Sequence, residues 1–268
     1  MRFFRFSYYI IGILTFIIWI VDALYVSLYG NPMLIHAYYK IKTLTPYQKK
    51  LMQERVKFYS MLNPSHKKYF EHRLATFMES YQFIGRGGYE VTDETKITIG
   101  AVYVMMTFGM RKYITNVFDK IVVYPSEFFS IAHSRNHKGE FNFRYKTIAF
   151  SWGDFLSGLA EKEDNLNLGV HEFTHVLSFH GKISKDYSAK VFNKMHCEVL
   201  SYIKTPENAK KIQANKYFRS YAFTNSYEFI AVMMESFFES PKEFKMRFPE
   251  LYVMVVKMIN YKSFSNLL

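Results

Sequence analysis

His171-Glu172-Phe173-Thr174-His175 constrains this chain more than any other stretch of it. In an α-helix, residues four apart stand one above the other on the same face, so the two imidazoles can reach a common point. The glutamate between them is turned by about 100° from the first histidine. It can therefore reach a water held at that point without itself being a ligand. This donor set suits one zinc ion and metal-assisted hydrolysis of a peptide bond. The flanks read as a helix: Asn165 and Asn167 offer N-caps, Gly181 offers a stop, and Leu166, Val170, Phe173, Val176 and Leu177 recur at helical spacing.

A catalytic zinc site usually has three protein ligands and one open position. A third histidine at the spacing of the long H-E-x-x-H signatures is missing, since Ser178 and Gly181 occupy the corresponding positions. His180 and His196 remain possible donors, although most histidines are surface or hydrogen-bonded residues. Two later glutamates compete for the role. Glu198 has mixed neighbours and reads as a solvated acid. Glu228 leads the run Phe229 to Phe238 (FIAVMMESFF), and a carboxylate on so apolar a helix needs a partner, for which a metal would serve. Glu235, two turns further along nearly the same face, is either a hydrogen-bond partner for a ligand histidine or a buried structural carboxylate.

The rest of the chain reads as α+β, mostly helical, with a small sheet just before the metal helix. Residues 46–82 suggest two helices broken near Asn63-Pro64. Gly85-Arg86-Gly87-Gly88 reads as a turn that follows a helix with no strand leading in, and so is no dinucleotide fingerprint. Thr92-Asp93-Glu94 starts a helix that ends near Gly109. Lys120 to Tyr124 and the segment centred on Tyr145 to Phe150 are strands. The free edge of the second is expected to pair with an extended substrate. Further helices are expected near 185–203, 206–215, 226–239 and 242–262.

The first thirty residues differ from the remainder. Phe6 to Val21 is an uncharged, mostly apolar run, interrupted at Asp22 and continued to Gly30. Its length suits a transmembrane helix, which divides the chain into a membrane anchor at 1–30 and a metallopeptidase domain at 31–268. A single-pass inner-membrane protein with a cytoplasmic domain is expected from the positive charges on the domain side. The net charge is +12, and nine Lys or Arg fall between Lys40 and Arg73. No nucleic-acid motif accompanies them, so they read as a basic helical face, or as a membrane-facing surface. The single cysteine, Cys197, excludes an internal disulfide.

Several stretches together resemble the Mlc titration factor A family of zinc peptidases: GRGGYEVTDET (85–95), IVVYPSEF (121–128), IAFSWGD (148–154), GVHEFTH (169–175), YAFTNSYEFIAVMMESFF (221–238) and PELY (249–252). The resemblance runs in order over roughly residues 45–260. It implies a zincin-like fold, related to the catalytic domain of anthrax lethal factor. It also implies zinc ligands at His171, His175 and Glu228, with Glu172 as general base and Tyr221 as a donor to the tetrahedral oxyanion. The expectation is a membrane-tethered bacterial zinc metallopeptidase acting on a peptide or protein. The competing expectation is a scaffold that binds and sequesters a transcriptional regulator, with cleavage incidental.

Overall fold

The computed structural model describes residues 2–30, 32–130, 134–160 and 165–261; the side chains of residues 2–8, 10, 11, 19 and 29 also lie outside the description. The chain divides into two compact units, Met1–Tyr39 and Lys40–Leu268.

The first unit is built on one helix, α1 (Arg2–Tyr29). Among the described residues, no helix is long and apolar enough to cross a membrane. This corrects the expectation of a membrane anchor at 1–30, and with it the single-pass inner-membrane placement. Asp22 supplies a physical reason. Its carboxylate sits within α1 and accepts the backbone N–H of Met33 at 3.1 Å, where a spanning helix would have to bury a charge in hydrocarbon. Part of the apolar run, residues 6–8, 10, 11 and 19, has side chains outside the described set.

The second unit opens with three helices. Thr45 starts α2 (Pro46–Arg55) with a capping box: its hydroxyl accepts the Gln48 N–H at 3.2 Å, and the Gln48 side chain accepts the Thr45 N–H at 3.0 Å. A break at Val56 precedes α3 (Lys57–Met61), and Asn63 caps α4 (Pro64–Ser80). The expected pair of helices is thus three. Several of the basic residues here face acids: Lys49 meets Glu71 at 2.7 Å, Arg55 meets Glu94 at 2.8 Å, and Lys42 pairs with Glu79.

A strand, β1 (Gln82–Gly85), does lead into the glycine turn, contrary to the reading from sequence. Gly87 and Gly88 hold φ of +61° and +80°, which only glycine adopts freely. Next comes the almost wholly buried α5 (Asp93–Thr107), capped by Thr92. The strands β2 (Lys120–Tyr124), β3 (Phe128–Ser130), β4 (Arg135–His137), β5 (Gly139–Asn142) and β6 (Thr147–Ser151) follow. After them come α6 (Trp152–Ala160), α7 (Leu168–Ile183), α8 (Tyr187–Lys204), α9 (Pro206–Asn215), a 3-10 turn (Ser220–Phe223), α10 (Ser226–Glu239), α11 (Pro241–Arg247) and α12 (Pro249–Met258). The expected last helix is split at Phe248-Pro249, because proline has no N–H to continue the ladder; residue 262 lies outside the description.

The main sheet has the order β1-β2-β6-β5. β1, β2 and β6 are parallel, and β5 returns antiparallel to β6. β6 is therefore an inner strand, and the expected free edge belongs instead to β5. The hairpin register fixes what that edge offers. Ser151 donates its N–H to the Lys138 carbonyl at 2.7 Å. Alternation then turns the backbone groups of Glu140 and Asn142 toward β6, and those of Gly139 and Phe141 outward. An aromatic core joins sheet and helices. Phe173 of α7 lies 5.0 Å from Tyr103 of α5, 5.5 Å from Phe150 of β6 and 6.4 Å from Phe77 of α4, between ring centroids.

Candidate metal centre

The site grows from the way α7 is held. The Asn167 side chain accepts the Val170 N–H at 3.0 Å and starts the helix. Val170, Phe173, Val176 and Leu177 are buried and fix its rotation. His171 and His175 then share the remaining face, with ring centroids 4.8 Å apart and their Nε2 atoms 3.2 Å apart.

The third donor arrives from α10. Asn225 caps that helix by accepting the N–H groups of Tyr227 and Glu228, so the Glu228 carboxylate stands in the first turn, where the helix dipole favours an anion. Its oxygens lie 2.9 Å from His171 Nε2 and 3.6 Å from His175 Nε2. Glu198 is not in the site: it is half-buried on α8, 4.0 Å from Lys194. His180 is hydrogen-bonded to Thr115, and buried His196 packs against the Tyr227 ring. Among the described residues, His171, His175 and Glu228 are the His/Cys/Asp/Glu group able to hold a metal ion.

The donor set fits a metal. A tetrahedral ion bound at about 2.0–2.1 Å separates its ligand atoms by about 3.3 Å. Here the two Nε2 atoms are 3.2 Å apart, one Glu228 oxygen lies 2.9 Å from His171 and the other 3.6 Å from His175, and one donor atom from each residue falls within 4.8 Å of the others. Glu228 Oε2 is buried with no aligned hydrogen bond, despite lying 2.9 Å from an imidazole nitrogen. Buried carboxylate oxygens are rarely left so.

Glu235 accounts for the charge on an apolar helix. It is 1% exposed and saturated with donors. His171 Nδ1 lies 2.7 Å from Oε1, Asn167 donates its N–H to Oε2 at 2.9 Å, and Arg219 grips both oxygens at 2.8 and 2.9 Å. An imidazole donating from Nδ1 presents its Nε2 lone pair to the metal point. Burial disfavours a charged His171, but Glu228 and Glu235 outweigh it and push the group up to about 10. Burial likewise opposes ionised Glu228, while the two histidines hold it well below the usual carboxylate range.

Glu172 is buried against β5, and burial raises its pKa against the pull of His175 and His171. A Cβ at Gly139 would stand 2.7 Å from the Glu172 side chain, so the absent side chain there makes room for this carboxylate. Tyr221, in the 3-10 turn, is 43% exposed, with its ring 5.8 Å from that of His171. Partial burial, then Glu228 and Glu172, push its hydroxyl up to about 12. Sequence reading missed Arg219 and Gly139. Arg219 is one of 35 Lys and Arg, and only its fold partners distinguish it.

Two histidines one helical turn apart, joined by a glutamate from a later helix and flanked by a buried glutamate, form a helix-borne donor group able to hold a metal ion. The chain belongs to the glucose-regulated metallo-peptidase M90 family, that of Mlc titration factor A; the family's model matches residues 36–259. Membership makes it a peptidase by family and implies a bound metal. A relative, an uncharacterized protein of Synechocystis sp., is 27% identical over 240 residues, covering 81% of this chain and 84% of that protein.

Proposed function

We propose that the chain is a zinc-dependent peptidase in which His171, His175 and Glu228 hold one ion, Glu172 is the general base and Tyr221 donates to the oxyanion. The observation that carries this reading is the convergence of the three donor atoms within 4.8 Å of one another, with Glu172 buried alongside. When bound, zinc supplies a Lewis acid for the scissile carbonyl and acidifies a water.

The remaining work belongs to the side chains. Glu172 takes the proton of the attacking water and hands it to the leaving amine; a carboxyl raised by burial is suited to both transfers. Tyr221, its hydroxyl kept protonated near neutral pH, donates a hydrogen bond to the developing oxyanion. Glu235 and Arg219 keep His171 turned toward the ion. The outward backbone groups of Gly139 and Phe141 pair with an extended substrate chain beside Glu172. The intact donor set favours an enzyme over a purely regulator-binding scaffold.

Glu172→Gln tests the reading. The amide is nearly isosteric but accepts no proton, so hydrolysis of a casein-derived peptide pool should fall by roughly 10²–10⁴-fold, while zinc measured by atomic absorption stays at one per chain. Wild-type turnover by this variant would remove the assignment.

A further inference from the structure

The face of β5 that meets α7 changes character along its length. At Gly139 it is bare and accommodates Glu172. Two residues on, Phe141 meets Phe179 of α7 with centroids 6.0 Å apart. Phe143, just past the strand, stacks on the same Phe179 ring at 4.8 Å and 24°. Phe179 follows His175 by one helical turn and so continues the metal-facing side of α7. Phe143 nevertheless remains 50% exposed. At the Gly139 end of the same strand lies a cavity of about 340 Å³ whose lining includes His171 and Glu172 themselves, together with His137, Lys138, Asp154 and Arg219. The apolar shelf thus continues β5, the edge strand among the described residues, away from the cavity that contains Glu172.

We propose that Phe141, Phe143 and Phe179 form the specificity-determining surface of the site, and that it takes a large apolar side chain, aromatic or leucine-like, of an extended peptide. The inference rests on the peptidase reading above and deepens it. The occupant follows from continuity, because the shelf is the direct extension of the edge that pairs with substrate. The strand direction fixes the side of the scissile bond. β5 runs from Glu172 toward Phe179, so a chain added antiparallel to it places its N-terminal residues over the shelf and its C-terminal residues at the cavity that contains Glu172. Seven residues of helix separate Glu172 from Phe179, about 10 Å along the axis. At about 3.4 Å per strand residue, the favoured side chain lies about three positions before the cleaved bond.

The test uses the full chain loaded with zinc. A quenched-fluorescence peptide library, varied at each position, should show a preference of about tenfold for Phe or Leu over Ala at the second or third residue before the cleaved bond. Phe143→Ala should flatten that preference while zinc content persists. A second measurement is independent of turnover: binding of Phe-bearing and Ala-bearing versions of one peptide to Glu172→Gln. The Phe version should bind about tenfold more tightly, and adding Phe143→Ala should erase the difference. Equal binding of the two peptides, or a preference confined to the C-terminal side of the bond, would overturn the inference. Selective binding without any cleavage by the wild-type chain would sustain it and refute the peptidase reading alone.

Discussion

Replacing Glu235 by alanine should damage stability and metal binding together, and by an amount that the structure bounds. The carboxylate is 1% exposed and takes hydrogen bonds from His171, Asn167 and both terminal nitrogens of Arg219. Charge-assisted bonds of this kind contribute about 1.5–3 kcal/mol each, but they share one acceptor and do not add. A better measure is the cost of removing one partner of a buried ion pair, about 3–5 kcal/mol. Arg219 keeps 28% of its side-chain surface in water, so its stranded charge is partly solvated and the low end applies, about 3 kcal/mol. At roughly 2–4 °C per kcal/mol for a unit of this size, Tm should fall by about 6–12 °C. Losing the partner of His171 Nδ1 should weaken zinc by a further factor of about 10–100. Scanning calorimetry of the protein with metal removed separates the first effect from the second, and competition with a chelating dye reads the second. An alanine variant with unchanged Tm and unchanged zinc affinity would show that Glu235 neither anchors Arg219 nor orients His171.

Three further outcomes follow from the same geometry. Gly139→Ala should displace the Glu172 carboxylate, since the new methyl would stand 2.7 Å from it; turnover should drop by about tenfold or more with zinc still bound, and loss of zinc instead would mean that the strand braces the donors. Glu228→Ala should lose both metal and activity and Glu198→Ala neither, as read by zinc per purified chain; the reverse pattern would exchange their roles. Zinc affinity should rise with pH between about 6 and 8. His171 is held protonated up to about 10 by Glu228 and Glu235, so binding displaces a proton and gains about tenfold per pH unit for each one released; an affinity flat across this range would contradict that coupling.

What could be read from the sequence was what repeats at short range. The pentapeptide, its Asn167 cap and the apolar stripe of α7 all lie within one helix, where a period of 3.6 residues exposes them. Glu228 was visible as an acid on an apolar run, although only the fold separates it from Glu198 by bringing α10 across α7. Glu235 could be seen as either structural or supporting, and its bonds make it both. Arg219 and Gly139 carry no local pattern: each matters through a residue on a different element, Glu235 or Glu172. β5 escaped notice because GEFN, short and carrying a glycine, lacks the β-branched content of a typical strand. The amino-terminal run has the length of a membrane span but is interrupted at Asp22, and that one carboxylate is the local sign that sets it apart.

The separation of the donors along the chain has a consequence for synthesis. Two imidazoles emerge together on α7, but the carboxylate that completes the set follows 53 residues later (228−175). Glu235, which fixes the first imidazole, follows later still. On the proposed ligand set, a polypeptide in which α10 is not yet made carries two histidines, a grip too weak to retain zinc. A ribosome-bound or prematurely terminated chain is therefore silent as a hydrolase. On that proposal, hydrolysis is withheld until nearly the whole sequence has been translated.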